Sequence, residues 1–101
     1  MRYQLVIQFQ ATSVDEFDCL IAFEESLTEW LRDSAVVDGH DFGTGEFNIF
    51  ALTDDPAIAF ERLQSFRSAL PVNRMRVAYR ELQGESFVIL WPPNLKQFNV
   101  A

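Results

Sequence analysis

Cysteine is nearly absent from this chain of 101 residues, in which Cys19 is the only one. A single thiol has no partner within the chain, so an internal disulfide is excluded. Disulfides are common in oxidising compartments, whereas free thiols persist in the cytoplasm. Cys19 falls beside the apolar stripe of a predicted helix, and we expect it to be packed rather than reactive. The cysteine content therefore favours a cytoplasmic protein.

Long apolar runs are also absent. A membrane-spanning helix needs about 18 or more apolar residues in succession, and polar residues interrupt every run here before that length. The N-terminus, MRYQL, lacks the apolar core of a signal peptide. Hydrophobic residues nevertheless make up 49% of the chain, including ten phenylalanines. This is enough to build a core without a metal or cofactor, so we predict a single domain over residues 1–101, off the membrane.

Basic residues are scarce in the first half. Residues 1–50 contain ten acidic residues but only Arg2 and Arg32 as bases, whereas residues 51–101 contain five acids and six bases. The net charge of −7 repels a phosphate backbone and disfavours nucleic acid as a partner. An acidic surface can attract a basic protein or a cation, or it can simply keep a small protein soluble.

Five segments have the pattern of β-strands. In the first, Tyr3, Leu5, Ile7 and Phe9 point to one side, and the intervening residues point to the other. The strands are predicted at residues 3–9, 34–40, 46–53, 74–80 and 86–91. Pro92 and Pro93 follow the last strand, and residues 94–101 are predicted to be a loose tail.

Two segments have the pattern of amphipathic helices. The first begins with the capping box of Ser13 and Glu16 and should run to about Leu31. The second begins with Asp55 as N-cap and Pro56 at the first helical position. Pro71 should end the second helix, and the solvent face of the first should carry Glu24, Glu25 and Glu29. The predicted core stripes are Phe17, Leu20, Ile21, Leu27 and Leu31 in the first helix, and Ala59, Phe60, Leu63, Phe66 and Leu70 in the second.

The resulting order is β-α-β-β-α-β with an extra C-terminal strand. An antiparallel sheet with two helices on one face is the simplest architecture for this order. The sequence therefore predicts an α+β sandwich of ferredoxin-like βαββαβ type.

One segment, Asp38–Asn48, concentrates the chain's polar chemistry. It contains the only histidine, three acids and three of the four glycines. If the hairpin centres on Thr44, then Phe42 opposes Glu46 and His40 opposes Asn48. Strand periodicity then places four side chains together on the helix-free face, with a fifth next to the turn. The candidate functional cluster is Asp38, His40, Asp41, Glu46 and Asn48.

Three interpretations of this cluster stay open. His40 with the acids could bind a divalent ion, although a single histidine is a poor ligand set. His40 could instead transfer protons, with Asp38 or Glu46 orienting it. In the third interpretation, the acids and Asn48 bond to turn amides and shape a stiff hairpin. Because the cluster contains no nucleophile and no recognisable catalytic spacing, the third is favoured, and neither catalytic residues nor metal ligands are assigned.

The helix-free face is predicted to carry an apolar patch, and such a patch usually marks an interface. We therefore predict self-association, as a homodimer, through the open sheet. The residues expected on this patch are Val6, Val36, Phe50, Leu52, Ala78 and Leu82.

The run DGHDxGxGExNIF at residues 38–50, followed by TDDP at 53–56, resembles a pattern in small uncharacterised bacterial proteins. It covers about a fifth of the chain, and no activity is attached to it. The layout also resembles ferredoxin-like modules, which include small-molecule sensors, immunity proteins and dimeric barrels. This resemblance implies a fold but no catalytic residues.

Taken together, the sequence favours a non-enzymatic cytoplasmic interaction protein that self-associates through its open sheet. One version is an immunity-type protein whose acidic first helix and hairpin block a basic protein partner. The alternative is a small enzyme or a ligand- or metal-binding domain that uses the His40 face of the hairpin.

Overall fold

Among the described residues, five strands and two helices follow one another along the chain. The computed structural model describes residues 1–11, 13–43, 45–66 and 75–100. The elements are β1 (Tyr3–Gln10), α1 (Val14–Trp30), β2 (Val36–Gly43), β3 (Glu46–Thr53), α2 (Pro56–Ser65), β4 (Arg76–Glu81) and β5 (Val88–Trp91).

Both helices begin where their capping residues place them. The Ser13 hydroxyl accepts a hydrogen bond from the Glu16 amide at 3.1 Å, and an Asp55 carboxylate oxygen accepts one from the Ile58 amide at 3.2 Å. These bonds satisfy amides that have no partner within the helix. Among the described residues, neither helix is long and apolar enough to cross a bilayer.

The end of the second helix differs from the prediction as far as it is described. Helix α2 ends at Ser65, whereas the sequence predicts that it continues through Leu70 to Pro71. Both of those residues, and the predicted start of the fourth strand at Arg74, lie outside the described residues.

The strands form one antiparallel sheet in the order β2-β3-β1-β4-β5. Strand β1 lies between β3 and β4, so that Ile7 is opposite Ile49 on one side and Val77 on the other. The prediction of an α+β fold with an antiparallel sheet is confirmed. A sheet of five strands with two helices is compatible with a fold of ferredoxin-like type.

The main core lies between the sheet and the helices. Alternation along β1 places Leu5, Ile7 and Phe9 on this side, where they cluster with Leu27 of α1 and Leu63 of α2. Cys19 does not join this core. It is exposed, because the buried positions of α1 are Leu20, Phe23 and Leu27. The expectation of a packed cysteine is therefore corrected.

The opposite face of the sheet is covered in part by the C-terminal segment, residues 92–100. Phe98 is only 7% exposed and packs with Val6 and Ala78, which are fully buried. Leu95 and Val100 pack against the same cluster. The described part of residues 94–101 is therefore packed and not the loose tail that was expected. The sequence did not reveal this packing, because irregularly spaced apolar residues in a segment without secondary structure give no periodic signal. The centre of the predicted apolar patch is consequently not open.

Because of the strand order, the acid-rich and arginine-containing elements of the chain lie in different parts of the molecule. Helix α1 contains six acids and no base, and it contacts β2 and β3. Strand β4 contains Arg76 and Arg80, and β1 separates it from β3 and β2. The β2 edge is thus the acidic side of the molecule.

Candidate functional site

The β2–β3 hairpin has a register that differs by one residue from the predicted one. Gly43 is opposite Glu46, and only Thr44 and Gly45 lie between them. Gly45 has a φ of +77°, a conformation that glycine adopts without steric cost. A turn centred on Thr44 would instead have placed Phe42 opposite Glu46. Because side chains alternate along a strand, this shift moves the turn-proximal part of β2 to the other face.

A β-bulge at Asp38 adds a second change of face. The pairing register shifts between Val37 and Gly39, and Asp38 has no partner residue on β3. Gly39 has a φ of +141°, which residues other than glycine rarely adopt. The extra residue lets Val37 face the helical core while His40 lies on the same side three residues later.

The structure consequently divides the predicted cluster between the two faces. His40 is opposite Ile49 and lies on the helix side, not on the helix-free face as predicted. Asn48 and Glu46 lie on the other face, where both contact Gln8. Asp41 is opposite Asn48, and Asp38 is exposed at the bulge. A site that combines His40 with Glu46 or Asn48 is not formed.

His40 joins the hairpin to the first helix. Its ring stacks on Phe47 with centroids 4.9 Å apart and an interplanar angle of 14°. Its Nδ1 lies 2.8 Å from the Glu24 carboxylate on α1. The imidazole side chain is 34% exposed and that of Glu24 only 13%. Since one ring face lies against Phe47 and Nδ1 is bonded, the geometry indicates a structural clamp.

Glu24 is the partner that sequence reasoning missed, because a glutamate was assigned to the solvent face by its chemistry. The position of Glu24 in the sequence nevertheless indicates that its side chain faces the core. It lies four residues after Leu20 and three before Leu27, which is the spacing of the buried stripe. A glutamate on such a stripe predicts a polar partner on the packed element, and His40 is the only histidine in the chain.

On the opposite face, Gln8 is the centre of a buried polar network. Its side-chain amide nitrogen donates to Asn99 O at 2.8 Å, to Asn48 Oδ1 at 3.0 Å and to Glu46 Oε1 at 3.2 Å. Gln8 is 3% and Asn48 1% exposed. Because Asn99 belongs to the C-terminal segment, this network attaches that segment to the sheet.

The network continues as a polar row across four strands. Asp41 is opposite Asn48, Asn48 is opposite Gln8, and Gln8 is opposite Arg76. Because directly opposed residues share a face, Gln8 and Arg76 lie on the same face as Asn48. Among the described residues, every buried side-chain nitrogen and oxygen has a hydrogen-bond partner. The buried part of the row is thus accounted for by the fold.

An open apolar groove lies where the start of α1 meets the tip of the hairpin. Its volume is about 640 Å³, and its lining is Ala11, Ser13, Val14, Phe17, Phe42 and Gly45. Val14 is 74% and Phe42 46% exposed, while the Phe17 and Phe42 rings are in edge contact at 5.0 Å. Among the described lining residues, the one hydroxyl is that of Ser13, and it accepts the helix-capping bond. The groove therefore offers apolar contact rather than acid–base chemistry.

The described residues bring no metal-ligand set together, since no group of three or more histidine, cysteine or acidic side chains lies close enough to hold an ion. The carboxylate that orients His40 is Glu24, and neither Asp38 nor Glu46 fills that role. Around the hairpin, the exposed acids of α1 and β2 and the apolar groove between these elements are the features suited to recognition.

Comparison with known proteins gives no further guide, because no family model, no curated protein and no solved structure matches this chain.

Proposed function

We propose that this protein is a non-enzymatic interaction protein that binds a basic polypeptide through its acidic edge. The acidic edge consists of the exposed residues Asp15 and Asp18 of α1 and Asp38 and Asp41 of β2. We also infer that the fold is a ferredoxin-like sandwich with an added strand, β5. In the immunity-type version of the proposal, the bound polypeptide is a basic protein that this chain blocks, and both reside in the cytoplasm.

The observation that carries the proposal is the spatial separation of charge. Helix α1 contains six acids and β2 contains two, and neither contains a lysine or an arginine. Arg32 and Arg62 contact Glu29 and Trp30 at the C-terminal end of α1, away from the hairpin tip. Arg76 and Arg80 are on β4, on the far side of β1. A surface of one sign attracts a partner of the opposite sign and raises its association rate.

Charge alone gives little affinity, because an exposed ion pair contributes about 0–1 kcal/mol. The apolar groove supplies the second requirement. Val14 and Phe42 are largely exposed and are flanked along the chain by Asp15 and Asp41. An apolar centre with a polar rim is the usual composition of a protein-binding surface.

Self-association through the open sheet has less support than the sequence implied. Phe98 covers Val6 and Ala78 at the centre of that face. Of the predicted patch, Val36 and Leu82 are exposed, at 48% and 40%, and they lie on β2 and just beyond β4. Dimer formation stays a prediction, which light scattering on the purified protein would test.

The proposal can be tested with a cationic peptide of alternating lysine and aliphatic residues (Ac-KVKLKVK-NH2). We expect Asp38→Asn/Asp41→Asn to weaken peptide binding at low salt by about tenfold, since two charge contacts are removed. The measurement is a calorimetric titration, repeated at about 0.3 M salt, where screening should weaken binding by the wild-type protein.

The matched control is Glu81→Gln/Glu85→Gln, which changes the net charge equally at the β4–β5 turn. We expect this variant to bind within about twofold of the wild-type protein, because the removed charges lie far from the acidic edge. Equal weakening by both double variants would mean that only total charge matters, and it would contradict a localised binding surface.

A further inference from the structure

We infer that the partner binds as an added β-strand along the free edge of β2, with an aliphatic side chain in the apolar groove. The inference rests on the proposed function and specifies its mode of binding. The occupant is an extended segment of another protein, with basic and apolar residues in alternation. The sheet would then gain a strand beside β2, on the side away from β3.

Strand β2 has the backbone required for this mode. Among the residues that the structure describes, it lies at the end of the strand order and pairs only with β3. An edge strand has unpaired amide and carbonyl groups on its outer side, which an extended peptide can bond. From Gly39 to Phe42 the strand is continuously paired with β3, and His40, Asp41 and Phe42 are exposed. The segment beyond the bulge therefore offers a regular edge.

Charge decides between a second copy of this chain and a basic partner. Two copies of β2 paired at their edges would bring Asp38 and Asp41 of one copy close to the same acids of the other. Like charges on neighbouring strands destabilise pairing, and β2 contains no lysine or arginine to compensate. A lysine or arginine beside Asp41 would form a favourable cross-strand pair. The charge of β2 thus disfavours pairing with a second copy of this chain and favours pairing with a basic partner.

The two faces of β2 set the sequence pattern of the partner. His40 and Phe42 lie on the helix side, whereas Asp41 lies on the opposite side, as does its neighbour Asn48. Cross-strand neighbours share a face. Residues of the added strand next to Phe42 should therefore be apolar, and the residue next to Asp41 should be basic.

The groove accommodates the apolar residue. Its volume of about 640 Å³ has ample room for a leucine side chain, and Val14 and Phe42 present apolar surface to it. Removing a branched aliphatic side chain from water into such a groove is favourable. An aliphatic residue therefore adds the affinity that exposed ion pairs lack.

Backbone methylation of the peptide tests strand addition directly. In an extended strand, the amides of alternate residues point to the same edge. We compare two forms of Ac-KVKLKVK-NH2, one N-methylated at its lysines and the other at its aliphatic residues. Only one set of amides can face β2, so one form should bind at least about tenfold more weakly while the other keeps its affinity.

The groove has its own matched pair of variants. Val14→Ser removes apolar surface from the groove, and Ile58→Ser removes a similar exposed side chain, 51% accessible, from the first turn of α2. We expect Val14→Ser to weaken peptide binding by about fivefold and Ile58→Ser to leave it unchanged. Equal effects would overturn the placement of the aliphatic side chain.

The outcomes separate this inference from the proposed function. If the peptide binds at the acidic edge but both methylated forms bind alike, strand addition is wrong and the proposed function stands. If the wild-type protein does not bind the unmodified peptide at low salt, both are wrong. If light scattering shows a dimer that Asp38→Lys strengthens, two copies pair at this edge, and the argument for a basic partner is overturned.

Discussion

Replacing Phe98 by alanine tests whether the C-terminal segment is part of the folded structure. Phe98 is 7% exposed and packs against Val6 and Ala78, with the Phe87 ring 5.1 Å away. Truncating a buried phenylalanine typically costs about 3–5 kcal/mol. We expect about 3 kcal/mol here, because a terminal segment can detach and so limit the cost to the free energy of its docking. Such a loss is a large share of the stability of a small domain.

Urea denaturation followed by tryptophan fluorescence measures this cost. The midpoint should fall with little change in the slope, since the variant still unfolds the same main core. Gln97→Ala is the control, because Gln97 is an exposed neighbour in the same segment and should cost less than about 0.5 kcal/mol. Deletion of residues 94–101 should cost about as much as Phe98→Ala if Phe98 carries most of the docking.

A small effect of both changes would contradict the packing of the C-terminal segment on the sheet. If Phe98→Ala and the deletion each cost less than about 0.5 kcal/mol, the segment does not protect the sheet. Val6 and Ala78 would then be available to a partner, and self-association through the open sheet would regain its basis. If the packing is as described, the deletion variant should instead show new, concentration-dependent association, because it exposes an apolar surface.

Two further substitutions test the contacts on either face of the sheet. Gln8→Leu removes the hydrogen-bond donor to Asn48 and to Asn99 O and should lower the free energy of unfolding by about 1–3 kcal/mol, measured by urea denaturation. Its cost should not add fully to that of Phe98→Ala, since both side chains hold the C-terminal segment. Full additivity in the double variant would contradict this shared role. His40→Ala removes the ring contact with Phe47 and the hydrogen bond to Glu24 and should lower the free energy of unfolding by about 1–2 kcal/mol. His40→Phe should restore the part of this free energy that comes from stacking. If it restores none, the ring contact does not stabilise the fold.

The elements of the fold were predictable because their signals are local. Ser13 and Asp55 cap the two helices as expected, and the alternation of Leu5, Ile7 and Phe9 identified the buried face of β1. Each signal depends on residues within one turn or one strand. The antiparallel α+β architecture followed from the order of these elements.

The candidate cluster was predicted less well because its geometry depends on register. A turn shorter by one residue and a bulge at Asp38 moved His40 to the helix side. Neither change alters the composition of the segment, so the sequence pattern could not distinguish them. Glu24 was overlooked although its spacing matched the buried stripe, because its partner lies sixteen positions away.

The helix caps, the alternation of the strands and the excess of acids in the first half can be read from the sequence, since all of these are properties of neighbouring residues. Which surfaces are exposed depends on the tertiary fold. Strand pairing placed the acidic β2 at the edge, the bulge turned His40 towards α1, and the C-terminal segment covered the face that alternation had left open. These outcomes depend on contacts between residues distant in the chain, where the free energy of packing, and not local preference, selects the arrangement.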